Sequence, residues 1–294
     1  MKFSQVIPLL FLVGSASTGL SSCSPNQATA SEETNLPLES VAIPGSVTVA
    51  KKWTLPADLL EISGISWVDD KRIACVQDED GSLFIYNLST SQIEKSVPFA
   101  GPGDYESVTR AGDHFYVLRS DGHLFEVDPR AETPLVRETD LDWSGKHDIE
   151  AMSYDAAGKR LLLADKREKK GDIRHIYAYD LASDKMLEAP VLELDLTSIV
   201  NDEKAEGKKG DGKRSHEFLP SDLAIDAKTG DYYLTDGKTD AILVVDKAGS
   251  IKKFVKLNSE DFPQLEGLTI SPSGQVYVSS EGAGGEGVLA RVAL

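Results

Sequence analysis

Ser63-Gly64-Ile65-Ser66, Glu106-Ser107-Val108-Thr109, Glu150-Ala151-Met152-Ser153, Ser221-Asp222-Leu223-Ala224 and Glu266-Gly267-Leu268-Thr269 are five readings of one phrase. Each is built on a small or acidic residue, then an apolar one, then a hydroxyl or small one. Successive copies start 43, 44, 71 and 45 residues apart, so the third interval carries about 27 additional residues. A fixed period in the forties is the mark of four-stranded sheets arrayed around an axis. The phrase therefore predicts an all-β fold, a five-bladed β-propeller.

The strands after each phrase repeat as well. Second strands are predicted at Arg72–Val76, His114–Leu118, Arg160–Ala164, Asp231–Thr235 and Gln275–Ser279, rich in β-branched and aromatic residues. The turns before them carry Asp69-Asp70, Gly112, Gly158, Gly230 and Gly274, residue types that tolerate hairpin backbone angles. Third strands come next at Leu83–Tyr86, Leu124–Val127, Ile176–Tyr179, Ile242–Val245 and Val288–Val292. Fourth strands are predicted at Ile93–Phe99, Leu135–Leu141, Leu187–Leu196 and Ile251–Leu257. The fifth repeat has no fourth strand of its own. Val47–Leu55 (VTVAKKWTL) resembles Ile251–Leu257 (IKKFVKL) and is predicted to close the last blade, which removes an exposed sheet edge. Residues 46–294 are thereby accounted for as one propeller; residues 197–217, mixed in charge and glycine-rich, read as a solvated loop between blades three and four.

The segment before the propeller reads as targeting sequence. Lys2 precedes an apolar run, Val6–Val13, too short to span a bilayer. Leu20-Ser21-Ser22-Cys23 resembles a bacterial lipobox, so residues 1–22 are expected to be a lipoprotein signal peptide and Cys23 the lipidation site. Ser24 after that cysteine resembles the pattern sent to the outer membrane. Residues 23–45 then form a flexible tether, poor in apolar residues. The formal charge of −17 becomes −18 once Lys2 is removed with residues 1–22. Such a surface repels nucleic acid, so the membrane, through Cys23, is the one partner this reading names. Cys75 is the second of two cysteines and lies in an apolar strand, where a small buried hydrophobe is expected. A monomer is expected.

First strands of propeller blades line the central channel, so the residues that open them converge near one mouth. That ring holds Ser63, Glu106, Glu150, Ser221 and Glu266. Three carboxylates aimed at one axis repel each other, and protonation, ordered water, a basic partner or a metal must relieve the repulsion. Calcium suits a set of hard oxygens with irregular geometry, and Ser63 and Ser221 could add oxygens to the three glutamates. The alternative is that these residues cap strands and hold channel waters. Asp104 and Asp148, each two residues before a glutamate, share its side of the strand and add to the charge. Five histidines (His114, His123, His147, His175 and His216) lack zinc-type spacing. Gly282–Gly287 matches a dinucleotide glycine pattern, but a strand comes after it where a helix is needed, so it reads as a hairpin.

In Ser63-Gly64-Ile65, Asp104-Tyr105-Glu106, Ile149-Glu150-Ala151-Met152, Pro220-Ser221-Asp222-Leu223 and Gln264-Leu265-Glu266-Gly267-Leu268 the chain resembles the SdiA-regulated family of bacterial β-propellers. The resemblance spans about residues 50–294. It implies a five-bladed propeller with NHL-like repeats and a calcium site, with Glu106, Glu150 and Glu266 as the ligands. Asp222 departs from the pattern where the family tends to have glycine; Ser107 and Ala151 likewise stand in place of glycine. Two functions are compatible with this reading. One is a lipid-anchored, calcium-containing module that binds an unidentified ligand or protein at the channel mouth. The other is a calcium-dependent hydrolase of phosphoesters or lactones, with Glu150 or Glu106 as general base. Few basic residues stand near the phrases (Arg110 and Lys146), which weighs toward binding.

Overall fold

The computed structural model describes residues 47–131, 133–143, 148–166, 172–199, 218–282 and 284–294. The expected signal peptide, Cys23, the tether, Lys146, His147 and most of the 197–217 insertion lie outside these residues. The described chain opens with β1 (Thr48–Thr54). Blade one is β2 (Ile62–Asp69), β3 (Arg72–Gln77), β4 (Ser82–Asn87) and β5 (Gln92–Pro98). Blade two is β6 (Tyr105–Ala111), β7 (His114–Arg119), β8 (His123–Asp128) and β9 (Leu135–Asp140). Blade three has β10 (Ile149–Asp155), β11 (Arg160–Asp165) and β12 (Ile173–Asp180), edged by β13 (Lys185–Met186) and β14 (Leu192–Asp195). Blade four is β15 (Asp222–Ile225), β16 (Tyr232–Asp236), β17 (Ala241–Val245) and β18 (Ile251–Lys256). Blade five is β19 (Leu265–Ile270), β20 (Val276–Ser280) and β21 (Val288–Ala293), completed by β1. Every pairing is antiparallel, and β2, β6, β10, β15 and β19 pack in a ring.

Closure matches the sequence pattern. β1 pairs with β21 from Thr48 opposite Ala293 to Thr54 opposite Val288. The indole N–H of Trp53 donates to the Leu88 carbonyl at 2.8 Å, fixing the closing strand to blade one. One predicted strand differs. The outer strand of blade three is two short pieces, β13 and β14, rather than a continuous Leu187–Leu196. Pro190 lies between them and has no N–H for the ladder, so the edge breaks there. Leu187 N and Val191 N still donate to the Ala178 and Ile176 carbonyls. Gly112, Gly230 and Gly274 take the expected positive φ, but in blade three it is Lys159, at φ 51, that turns left-handed. The Asp155 carboxylate accepts Ala157 N and Gly158 N there and shifts the turn by one residue.

Each position of the repeated phrase has its own structural duty. The apolar residue (Ile65, Val108, Met152, Leu223 or Leu268) enters one of five hydrophobic cores, each lying between two neighbouring blades. A blade cannot bury that face alone, which is why the unit must repeat. The closing hydroxyl staples adjacent blades. Thr269 accepts from Trp67 N at 2.9 Å, Ser66 from Arg110 N at 3.1 Å, and Thr109 from Tyr154 N at 3.0 Å. Ala224 has no hydroxyl to offer. Cys75 is fully buried and unpaired, as a small hydrophobe.

Glycine in the phrase is required by close approach. A Cβ on Gly64 would lie 2.5 Å from the Ser107 Cα and 2.6 Å from Val108 N, both backbone atoms of the next blade. Gly64→Ala is expected to push blades one and two apart and to cost about 1–3 kcal/mol. Chemical denaturation measures this; a midpoint within error of wild type would show that the two blades yield freely.

Candidate functional site

The glutamates sit where they do because the ladder slips under them. Pairing between first and second strands shifts register between Tyr105 and Ser107, between Ile149 and Ala151, and between Leu265 and Leu268. Blade one shifts between Ile62 and Ile65 in the same way. Glu106, Glu150, Glu266 and Ser63 therefore lie at β-bulges, which re-aim a side chain out of strict alternation. Glu150 is only 5% exposed. Burial raises the carboxyl groups of Glu150 and Glu266, both to about 7, and that of Glu106 further still. The charges of Glu150, Asp104 and Glu266 add to the effect on Glu106, so the three carboxylates feel each other across the axis. Asp104 and Asp148 act as their spacing implied.

A basic partner relieves part of this repulsion. The Lys166 ammonium pairs with Glu150 Oε2, and Glu150, Glu266 and Glu106 together hold it protonated against its own burial. In sequence Lys166 only opens a basic run, Lys166-Arg167-Glu168-Lys169-Lys170, with nothing to tie it to the glutamates. Its place is set by register: Ile149 lies opposite Asp165, and Lys166 N donates to the Asp148 carbonyl at 2.8 Å. That geometry sets the side chain beside Glu150.

A second acidic group lies at the same mouth. Among the described residues, Glu61, Asp78 and Glu281 are the one set of three potential metal-binding side chains bringing a ligand atom from each within 4.8 Å of the others. Burial is the largest influence on Glu281 and Asp78, raising them to about 7 and 6. The charges of Asp78, Glu61, Lys166 and Glu150 all reach Glu281. Asp78 and Glu281 each follow directly on a second strand, β3 and β20, and what joins them is that their blades, one and five, are neighbours across the closure.

The serines are drawn into the walls. Ser221 Oγ donates to the Leu265 carbonyl at 2.8 Å and lies 3.1 Å from Thr235 Oγ1, while the Ser63 carbonyl accepts from Ser279 Oγ at 2.9 Å. Below them Asp222 fills the waist of the channel. One carboxylate oxygen accepts from Ser107 Oγ at 2.8 Å and Leu223 N at 2.9 Å, the other from Leu268 N at 2.8 Å. Burial raises this carboxyl to about 8, opposed by these bonds and one from the Met152 backbone.

Beyond the waist, at the other end of the first strands, a cavity of about 420 Å³ is lined by Ser66, Trp67, Thr109, Arg110, Tyr154 and Thr269, among others. Arg110 therefore belongs to this end and not to the acidic mouth; its guanidinium donates to the Gly112 and Val68 carbonyls. His114, His123 and His175 pair with Glu126, Asp121 and Glu193 away from the channel.

The acidic mouth, where among the described residues the half-buried Lys166 stands against many carboxylates, has the donor chemistry to hold a divalent cation or to exchange protons near neutrality. The SdiA-regulated family model matches residues 47–283. No curated protein sequence matches the chain. Among solved structures it is similar to glutaminyl cyclase from Myxococcus xanthus, at 15% identity and TM-score 0.58, over 84% of this chain and 95% of that one. It is also similar to a structural-genomics protein of unknown function from Bacteroides thetaiotaomicron, at 13% identity and TM-score 0.51, over 78% of this chain and 58% of that one. At these identities the likenesses speak to fold.

Proposed function

The chain belongs to the SdiA-regulated family, and from that premise we propose that it is a lipid-anchored envelope protein, held at the outer membrane through Cys23, whose acidic channel mouth binds calcium and presents it to a ligand or protein partner. The observation that carries the reading is the ring of bulged glutamates: Glu150 is buried, Glu106 and Glu266 are half-buried, and all three act on the half-buried Lys166 ammonium. Their donor chemistry fits the ion. Calcium takes hard oxygens in irregular arrangements, and carboxylates held partly protonated by burial and by neighbouring acids can exchange those protons for a divalent cation. These three glutamates are the ligands we assign; their oxygens, unlike those of Glu61, Asp78 and Glu281, do not already lie within 4.8 Å of one another, so calcium must draw them in and displace Lys166 from Glu150. When bound, the ion would supply positive charge at the mouth and a point of attachment for an anionic group.

Millimolar Ca²⁺ is expected to raise the unfolding midpoint by several degrees, since saturation at about 100 Kd adds about 2.7 kcal/mol. Glu106→Ala, Glu150→Ala or Glu266→Ala should remove the shift. No shift in the wild-type protein would sink the calcium assignment.

Hydrolysis is a second reading, favoured by one observation. Glu150 is held near neutrality beside a protonated Lys166, so a group able to take a proton stands next to one able to hold an anion. Turnover of phosphoester or lactone substrates that depends on both Ca²⁺ and Glu150 would establish it; none across such a panel would remove it.

A further inference from the structure

We propose that the cavity at the far end of the channel is a second ligand site, for a small organic carboxylate with an apolar body. Its volume, about 420 Å³, lies in the range of small-molecule sites. Asp222 and its hydrogen bonds close the waist between it and the acidic mouth, so the two ends are chemically separate. Among the described residues no aspartate or glutamate lines the cavity, in a chain carrying 48 of them, and the one charged lining residue is Arg110.

The polar groups at this end are donors. Ser66, Thr109 and Thr269 each spend an oxygen lone pair accepting the backbone N–H of the next blade. A hydroxyl used that way keeps its own proton to give. The Arg110 guanidinium uses Nε and one terminal nitrogen on carbonyls, and its other terminal nitrogen has no hydrogen-bond partner among the described residues. The indole of Trp67 packs against the core between blades five and one and lends the cavity apolar surface; its N–H is buried and takes no part in the donor set. A ring of donors with a cation selects an oxyanion acceptor. Trp67, Tyr154, Ile225, Ile270 and Pro272 supply apolar wall, which selects a body beyond the anionic group.

The probe is 3-phenylpropionate, titrated calorimetrically into the full-length protein, with 3-phenylpropionamide and inorganic phosphate as comparisons. Saturable binding of the carboxylate is expected, weakened about tenfold or more for the uncharged amide and by Arg110→Gln, as loss of a charge-assisted hydrogen bond implies. Ala227→Trp, on the exposed hairpin turn that lines the cavity, is expected to abolish binding while leaving the unfolding midpoint near wild type. That variant decides the matter if Arg110→Gln fails to fold. Absence of saturable binding, equal affinity for acid and amide, or indifference to both substitutions would overturn the site. Phosphate binding as tightly as the carboxylate would overturn the apolar body.

Discussion

Asp222→Ala is expected to destabilise the protein by about 3–5 kcal/mol, a drop of about 10 °C in unfolding midpoint. The carboxylate touches Ser107 of β6, Leu223 of β15 and Leu268 of β19, and it takes a further hydrogen bond from the Met152 backbone of β10. Four of the five inner strands thus share one side chain. Alanine leaves the N–H groups of Leu223 and Leu268 buried without that acceptor, and each orphaned donor costs about 1–3 kcal/mol. Removing a buried carboxylate also removes its desolvation cost, which keeps the net below the sum of the lost bonds. Asp222→Asn separates the two contributions. Each carboxylate oxygen faces a backbone N–H that cannot turn round, so either placement of the amide sets an NH₂ against a donor. Asparagine is therefore expected to recover less than half of the loss. Circular dichroism during thermal unfolding measures both. A loss under about 1 kcal/mol for alanine would mean that the inner strands hold each other without this tie.

Asp222 also marks the boundary of what was legible in the sequence. The phrase revealed the blades because each of its positions serves one local purpose that recurs: Ile65, Val108, Met152, Leu223 and Leu268 each go to one inter-blade core. The closing strand was legible for the same reason, as Thr48–Thr54 carries the outer-strand pattern of Ile251–Lys256. Asp222 showed only as a departure from glycine. Its meaning is axial, set by three other blades at once, and no period along the chain encodes a contact across the axis. Lys166 and the set Glu61, Asp78 and Glu281 were hidden similarly. Each depends on which loops share a mouth, which is a property of closure rather than of any one repeat. The break at Pro190 is different in kind: a missing backbone N–H was there to be read, and the apolar run on either side masked it.

Raising the pH from about 5 to about 8 without Ca²⁺ is expected to cost the protein on the order of 3–5 kcal/mol, the reverse of what salt-bridged carboxylates produce. Glu150 and Glu266 have an ordinary value of 4.5 and stand at about 7 in the folded chain, with burial the first cause in both. Between those values the folded state holds protons that the unfolded state has released. Stability must then fall as pH rises through the window, with the loss complete above the folded values. Glu281 and Asp78, raised by burial and by the acids around them, add to the same slope, as do Glu106 and Asp222, which burial raises further, while Lys166 reduces it by favouring ionised Glu150. Below about pH 4 the trend inverts. Asp246 and Asp180 are held below their ordinary value by local hydrogen bonds, and protonating them removes those bonds. The two trends together place a stability maximum near pH 5. Glu150→Gln combined with Glu266→Gln should lessen the fall above it, because neutral amides have no proton to lose, while Glu106, Asp222, Glu281 and Asp78 keep part of it. Saturating Ca²⁺ should flatten it in the wild-type chain, since the ion favours the ionised carboxylates that the empty mouth penalises. Urea titrations across pH, with and without Ca²⁺, read all three curves. Flattening by the glutamines alone would keep the acidic mouth and discard the metal; a wild-type curve that rises from pH 5 to 8 would discard both.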